Sequence, residues 1–209
     1  MNRALVLVLL AALALIGLPM AVASSAPAPV AAQADLLPPG TFDRITDRHA
    51  RAVALFTEMG KVIQSPRCLN CHPRGDSPTQ HDGVPHSPPV ARGGGNGVAG
   101  LQCTTCHGAA NVTFENGRGS IPGNPAWLLA PAEMAWAGKS LGAICAQLKD
   151  TRRNGGRSLA DLLKHNATDG LVGWGWDPGL GRKPAPGSQQ RFGELTKAWI
   201  DAGAACPKR

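Results

Sequence analysis

The sequence has few of the large side chains that usually fill a protein interior. Its 209 residues include no tyrosine and only four phenylalanines, against 26 glycines and 18 prolines. Glycine and proline at this frequency predict a chain rich in turns and loops. We therefore expect a bound apolar group to supply part of the core.

Long apolar runs are also scarce, and the one that occurs stands at the N-terminus. Arg3 precedes the apolar run Ala4 to Leu18, which is followed by the small-residue sequence Ala21-Val22-Ala23. This layout predicts a secretory signal peptide over residues 1–23, cleaved near Ala23, and hence a periplasmic protein. A membrane anchor is the alternative, but the run is short for a bilayer span.

The remaining chain has no second apolar run, so we expect no membrane span in the mature protein. Residues 24–40 are rich in alanine and proline and predict a flexible leader. Residues 41–209 have a length suited to one small domain. The size favours a carrier over an enzyme that has its own substrate domain.

Four of the six cysteines lie in two Cys-x-x-Cys-His motifs, Cys68 to His72 and Cys103 to His107. In this motif the two thiols attach to the vinyl groups of a haem and the histidine binds the iron. The sequence therefore predicts two covalently bound haem c groups. Their anchors are Cys68, Cys71, Cys103 and Cys106, and their first iron ligands are His72 and His107. A zinc site made by the four cysteines is the alternative, but zinc needs no histidine after each pair.

The other two cysteines are Cys145 and Cys206, and neither has a cysteine or histidine neighbour at ligand spacing. In an exported protein such a pair predicts a structural disulfide. The alternative is that one of them is a thiolate ligand of a haem iron, which would point to catalysis.

A second ligand on each iron decides whether the site only passes electrons. His86 lies among prolines, in Val84 to Pro89, which stiffen the backbone as a ligand loop requires. Met134 can offer a thioether or can simply pack in the core. His165 is the third candidate, although a cation at a helix C-terminus also explains it. We expect His86 on one iron, and Met134 or His165 on the other.

The formal net charge of +7 does not indicate nucleic acid binding, because the basic residues are scattered singly. Ionised haem propionates would also offset much of this charge. We expect no nucleic acid partner, and we expect redox proteins as partners instead.

Helical periodicity runs from Thr41 to Ile63, and three serines, Ser140, Ser158 and Ser188, each precede an apolar helical pattern. No segment alternates as a strand does. We expect a mainly α-helical, loop-rich, cytochrome c-like fold around the two haems, with little or no β structure.

The two motifs resemble those of di-haem cytochromes c. More broadly, Arg67 to Gly75, Met134 to Gly138, Asp150 to Gly156 and Leu171 to Gly179 are similar to small bacterial proteins labelled as subunits of isoquinoline 1-oxidoreductase. The second resemblance implies a periplasmic electron acceptor for a molybdenum hydroxylase, whose chemistry would belong to another subunit.

We expect a di-haem carrier that moves single electrons between a dehydrogenase and a respiratory acceptor. The alternative is a di-haem redox enzyme, of the peroxidase or thiosulfate-oxidising type, with one open or thiolate-bound iron. The carrier needs two protein ligands on each iron, whereas the enzyme needs one iron position that is left free or filled by sulfur.

Overall fold

A computed structural model describes residues 35–209. The predicted signal peptide and residues 24–34 of the predicted leader lie outside these residues. At the start of the described chain Leu36 is buried, and the backbone N–H of Leu37 donates to a carboxylate oxygen of Glu58 at 2.9 Å. Packing contacts therefore begin ahead of Thr41.

The helical core is formed by four helices: α1 (Arg48–Ile63), α3 (Leu141–Leu148), α4 (Leu159–Thr168) and α6 (Gln189–Asp201). Helix α6 packs against both α1 and α4, and α1 also contacts α3. The helices approach closely at Gly60, where an added Cβ would lie 2.6 Å from a methyl of Leu141. The buried centre contains Phe56, Leu195 and Trp199.

Serine caps begin three of these helices, as the sequence predicts. The hydroxyls of Ser140 and Ser188 accept N–H bonds from the first turns of α3 and α6. Ser158 forms a full capping box with Asp161 at the start of α4. The predicted helix from Thr41 is shorter than expected: a 3-10 helix spans Pro39–Phe42, and α1 begins only after Asp47, whose carboxylate caps it.

The remaining helices are short. Helix α2 (Pro66–Leu69) carries the start of the first motif, and α5 (Gly170–Gly173) follows α4. Further 3-10 turns lie at Cys103–Thr105, Ala132–Met134 and Trp174–Trp176. Among the described residues no helix is long and apolar enough to cross a membrane.

The expectation of a mainly α-helical fold with little or no β structure is wrong. Only 39% of the described residues are helical, and 7% lie in strands. Three antiparallel hairpins occupy the Gly- and Pro-rich middle of the chain: β1 (Thr79–Gln80) with β2 (Val84–Pro85), β3 (Gly97–Val98) with β4 (Leu101–Gln102), and β5 (Val112–Thr113) with β6 (Ser120–Ile121). Each strand has two residues, which is too short to show the alternation that predicts a strand.

Backbone hydrogen bonds attach the first motif both to the hairpins and to the segment that follows them, beginning with the N–H of Thr79 in β1, which donates to the carbonyl of Asn70 at 3.3 Å. The N–H groups of Trp136 and Ala137 donate to the carbonyl of His72, at 3.0 and 3.1 Å. The N–H of Ala130 donates to the carbonyl of Cys71, at 3.2 Å. The first motif is therefore the junction between the helices and the hairpins.

Candidate functional site

The first motif is presented by α2, which begins at Pro66 immediately after α1. Beyond the helix, the N–H groups of Cys71 and His72 both donate to the carbonyl of Cys68, at 3.2 and 3.1 Å. This turn holds the backbone of the two cysteines and the histidine together.

The ring of His72 is held from two directions. Its Nδ1 lies 2.8 Å from the carbonyl oxygen of Met134. Since a carbonyl can only accept, Nδ1 carries the proton and Nε2 keeps a free lone pair. The ring also stacks on Trp136, with centroids 3.5 Å apart and planes 4° from parallel.

Burial is the main cause that lowers the pKa of His72 to about 4; the charges of His165, Arg92 and Arg157 contribute in the same direction, and the hydrogen bond to Met134 opposes the shift. The imidazole is therefore neutral near pH 7. A neutral imidazole with Nδ1–H bound to a carbonyl is the form in which histidine binds a metal through Nε2.

The second motif repeats this arrangement on a different support. The 3-10 turn Cys103–Thr105 directs the N–H groups of Cys106 and His107 to the carbonyl of Cys103, at 3.2 and 2.9 Å. His107 Nδ1 lies 2.8 Å from the carbonyl oxygen of Pro122, and the ring stacks on Trp127 with centroids 4.6 Å apart. Burial lowers the pKa of His107, and nearby His86 and Arg182 lower it further.

The structure places His86 beside His107. Its Nδ1 lies 2.8 Å from the carbonyl oxygen of Pro88, so its Nε2 is also the free nitrogen. The two ring centroids are 6.0 Å apart. Two imidazoles that bind one metal ion from opposite sides, through bonds of about 2 Å each, have ring centres about 6 Å apart. The spacing of His86 and His107 fits one shared iron.

His165 lies in the last turn of α4, and its Nδ1 also faces an oxygen acceptor, as in the other three histidines. Its Nδ1 lies 3.2 Å from a carboxylate oxygen of Asp169, the residue that caps α5. Burial lowers the pKa of His165, and so does Arg157, whereas Asp169 raises it. His165 is close enough to His72 for its charge to lower the pKa of that ring.

Met134 is buried in the core, and its carbonyl accepts the Nδ1–H of His72. The carbonyl of Met134 therefore lies at the Nδ1 edge of the His72 ring, and its side chain is part of the buried core cluster.

A cavity of about 490 Å³ connects the two motifs. Cys71, Cys103 and Cys106 line it together with His86 and His107. Aromatic and apolar side chains make up much of the remaining wall, among them Phe114, Trp127, Leu128 and Trp174. Its volume lies in the range of small-molecule and cofactor sites. The cavity is thus mainly apolar, with both thiols of the second motif and three histidines, His81, His86 and His107, at its wall, and this fits a haem bound there.

The four motif cysteines are unpaired. Burial raises the pKa of Cys68 to about 12 and that of Cys71 to about 11, and burial also raises the pKa of Cys103. The sulfurs of Cys68 and Cys71 are therefore thiols near pH 7. Within residues 35–209 no three His, Cys, Asp or Glu side chains converge as a site for a free metal ion would require.

Cys145 and Cys206 form a disulfide, with Cα atoms 5.6 Å apart. The disulfide predicted from the sequence is confirmed, and neither sulfur is left as a thiolate ligand. The bond joins α3 to the segment after α6, away from the motif histidines.

Sequence reasoning missed the groups that support the histidines. The carbonyls of Met134 and Pro122 leave no trace in residue identity, because any residue has a carbonyl. Trp136 and Trp127, which stack on the histidine rings, lie 64 and 20 residues along the chain from them, so their role could not be seen in the sequence. Arg67, which stands immediately before Cys68, was also missed, although its position next to a motif was the available signal.

No protein-family model, curated protein or solved structure matches this chain.

Proposed function

We propose that this protein is a periplasmic c-type cytochrome with two covalent haems and that it carries single electrons between a dehydrogenase and a respiratory acceptor. A haem c supplies an iron that takes up and gives back one electron. The residues of this chain attach that group, fix its ligands and close its iron to other molecules.

One observation carries the proposal. Four histidines, two in the motifs and two outside them, each have Nδ1 directed at an oxygen acceptor and Nε2 left free. The acceptors are three backbone carbonyls and one carboxylate, which are the usual outer partners of metal-bound histidine. Four such imidazoles are the number that two six-coordinate haem irons require.

The residues divide between the two haems by position. Cys103 and Cys106 would attach one haem, and His107 and His86 would be the ligands of its iron. Cys68 and Cys71 attach the other, which His72 ligates together with His165, the histidine whose charge acts on it. Met134 is not used as a ligand in this proposal. Two imidazoles on each iron leave no position for a substrate, and this favours a carrier over a peroxidase-like enzyme.

Electron transfer between the two haems is favoured because residues of both motifs line one cavity. Cys71 of the first motif and Cys103 of the second line the same cavity, and Cys71 is close enough to Cys103 for the charge of one thiolate to raise the pKa of the other. Groups attached to these two sulfurs would be neighbours, so an electron need not leave the protein to pass from one to the other.

The partners follow from this role. Electrons enter from a periplasmic dehydrogenase, for which a molybdenum hydroxylase is the candidate implied by the sequence resemblance. They leave to a respiratory acceptor. An interface for such transient transfer can be small.

Absorption spectra of the mature protein, oxidised and reduced, with and without carbon monoxide, test the proposal. The protein is produced from the full sequence in a host with a haem c maturation system. We expect a reduced c-type spectrum that carbon monoxide does not change. The variant His86→Ala should keep both haems but acquire one that binds carbon monoxide.

His81→Asn is the matched control, because His81 lies in the same hairpin, is exposed, and has a positive φ that asparagine tolerates. Its spectrum should equal that of the unmodified protein. Carbon monoxide binding by the unmodified protein would show an open iron and would overturn the carrier proposal in favour of an enzyme.

A further inference from the structure

Arg67 has an unusual environment for a charged side chain. It lies in α2 next to Cys68, and its side chain is only 1% exposed. One guanidinium nitrogen, Nη2, donates to the carbonyl of His81 and to the carboxylate of Asp82, at 3.1 Å in the second case. The other, Nη1, is buried and has no acceptor among residues 35–209. A buried donor without an acceptor is costly and calls for a partner that the chain does not supply.

Arg67 lines the cavity between the motifs. Arg182 lines it as well, and its guanidinium donates to the hydroxyl and carbonyl of Ser120 and to the carbonyl of Pro178. The two arginines are close enough for the charge of Arg67 to lower the pKa of Arg182. No aspartate or glutamate is among the described residues that line the cavity.

The positive charges of Arg67 and Arg182 favour one kind of occupant for the cavity, an anion. The guanidinium groups of Arg67 and Arg182, both at the wall of one apolar cavity, repel each other, and among residues 35–209 the acid paired with Arg67 is Asp82, whose side chain is 69% exposed. An anion inside the cavity would offset this repulsion and accept the free N–H bonds of Arg67. A planar carboxylate matches the geometry of a guanidinium best.

We propose that Arg67 and Arg182 bind the carboxylates of the molecule that fills this cavity. The inference rests on the proposed function, under which that molecule is the haem attached at Cys103 and Cys106 and the carboxylates are its propionates. Arg67 is the main contact because its Nη1 is free, and Arg182 is the secondary one because its N–H groups already have partners.

Resonance Raman spectroscopy of the holoprotein tests this inference, because the propionate bending bands report hydrogen bonding to the propionates. We expect Arg67→Gln to shift one propionate band to lower frequency. Arg67→Lys, which keeps the charge but loses the planar fork, should restore the band in part. Arg182→Gln should give a smaller shift in the same direction, and it carries the test if Arg67→Gln does not fold.

Arg92→Gln is the matched control. Arg92 is as buried as Arg67, has an acidic partner on the surface, Asp76, and also has a buried nitrogen without an acceptor, but it does not line the cavity. Its propionate bands should stay where they are in the unmodified protein. Equal shifts in the Arg67 and Arg92 variants would overturn the inference, because burial alone would then explain them.

The mass of each variant separates this inference from the proposed function. Two covalent haems with unshifted bands in both Arg67→Gln and Arg182→Gln would sink the inference and leave the proposed function intact. Absence of covalent haem from the unmodified protein would sink the proposed function, and the inference with it.

Discussion

The first motif, Cys68 to His72, is attached to the helical core, whereas the second, Cys103 to His107, lies among short hairpins. Both histidines nevertheless receive the same two supports, a carbonyl at 2.8 Å from Nδ1 and a stacked tryptophan. Similar contacts therefore hold the two motif histidines in the same tautomer, although different kinds of element supply those contacts.

The two sites differ in how firmly the supports are held. Trp136 is only 9% exposed and belongs to the core cluster, and Met134 is buried beside it. Trp127 is half-buried and Pro122 lies at the end of a two-residue strand. We therefore expect the first site to share its stability with the whole fold, and the second to change without unfolding it.

Removing the anchor cysteines should give the largest difference between the two sites. The double variant Cys103→Ala with Cys106→Ala should lose one haem by mass and still melt cooperatively. Cys68→Ala with Cys71→Ala should lose the other haem and most of the folded protein, since that haem lies at the junction of helices and hairpins. Circular dichroism melts and intact mass measure both effects. Retention of both haems in either variant would contradict the attachment sites.

Loss of the disulfide tests whether the core supports the first site. The double variant Cys145→Ser with Cys206→Ser removes a bond between residues 61 positions apart in the sequence. Loss of this constraint on the unfolded chain should lower the free energy of unfolding by about 4 kcal/mol. The melting temperature should then fall by about 8–16 °C. In partly unfolded samples the haem at Cys68 should lose its ligands first. Earlier loss at the second site would argue against a link between the first site and the core.

Replacing the stacked tryptophans compares the two supports directly. Trp136→Leu removes a buried aromatic contact and should cost about 3 kcal/mol of unfolding free energy. Trp127→Leu, at a half-exposed position, should cost about 1 kcal/mol. Urea unfolding of the two variants measures the difference. Equal costs would mean that the sites are supported equally.

Lowering the pH should give the smallest difference between the two sites. In the chain without haem, burial lowers the pKa of His72 from 6.5 to about 4, so the folded chain binds fewer protons than the unfolded chain between these pH values. The free energy of unfolding therefore decreases as the pH is lowered from about 6.5 to about 4. The half-exposed second site should release its ligands at a higher pH than the first. Absorption spectra from pH 7 to pH 3 show the order in which the two sites lose their ligands. Release at the first site before the second would refute the prediction.

Much of the site could be predicted from the sequence because haem attachment depends on a fixed local spacing. The two motifs form their turns from nearby residues, and the capping serines act within one helical turn, so both are visible in the sequence. The disulfide was predicted by elimination, since Cys145 and Cys206 were the cysteines that remained.

What could not be predicted depends on contacts between distant parts of the chain. Met134 and His72 are 62 residues apart, and the carbonyl that joins them is present in every residue type. The hairpins were missed because two-residue strands show no period. The free Nη1 of Arg67 appears only once the fold places it against the cavity.

The measurement that tests the account most directly is the intact mass of the mature protein, produced from the full sequence with a haem c maturation system. The account predicts a chain that begins near Ser24 and carries the added mass of two haems, retained under denaturing conditions. A mature chain without covalent haem would contradict it, and a single haem would show that one of the two motifs is not an attachment site.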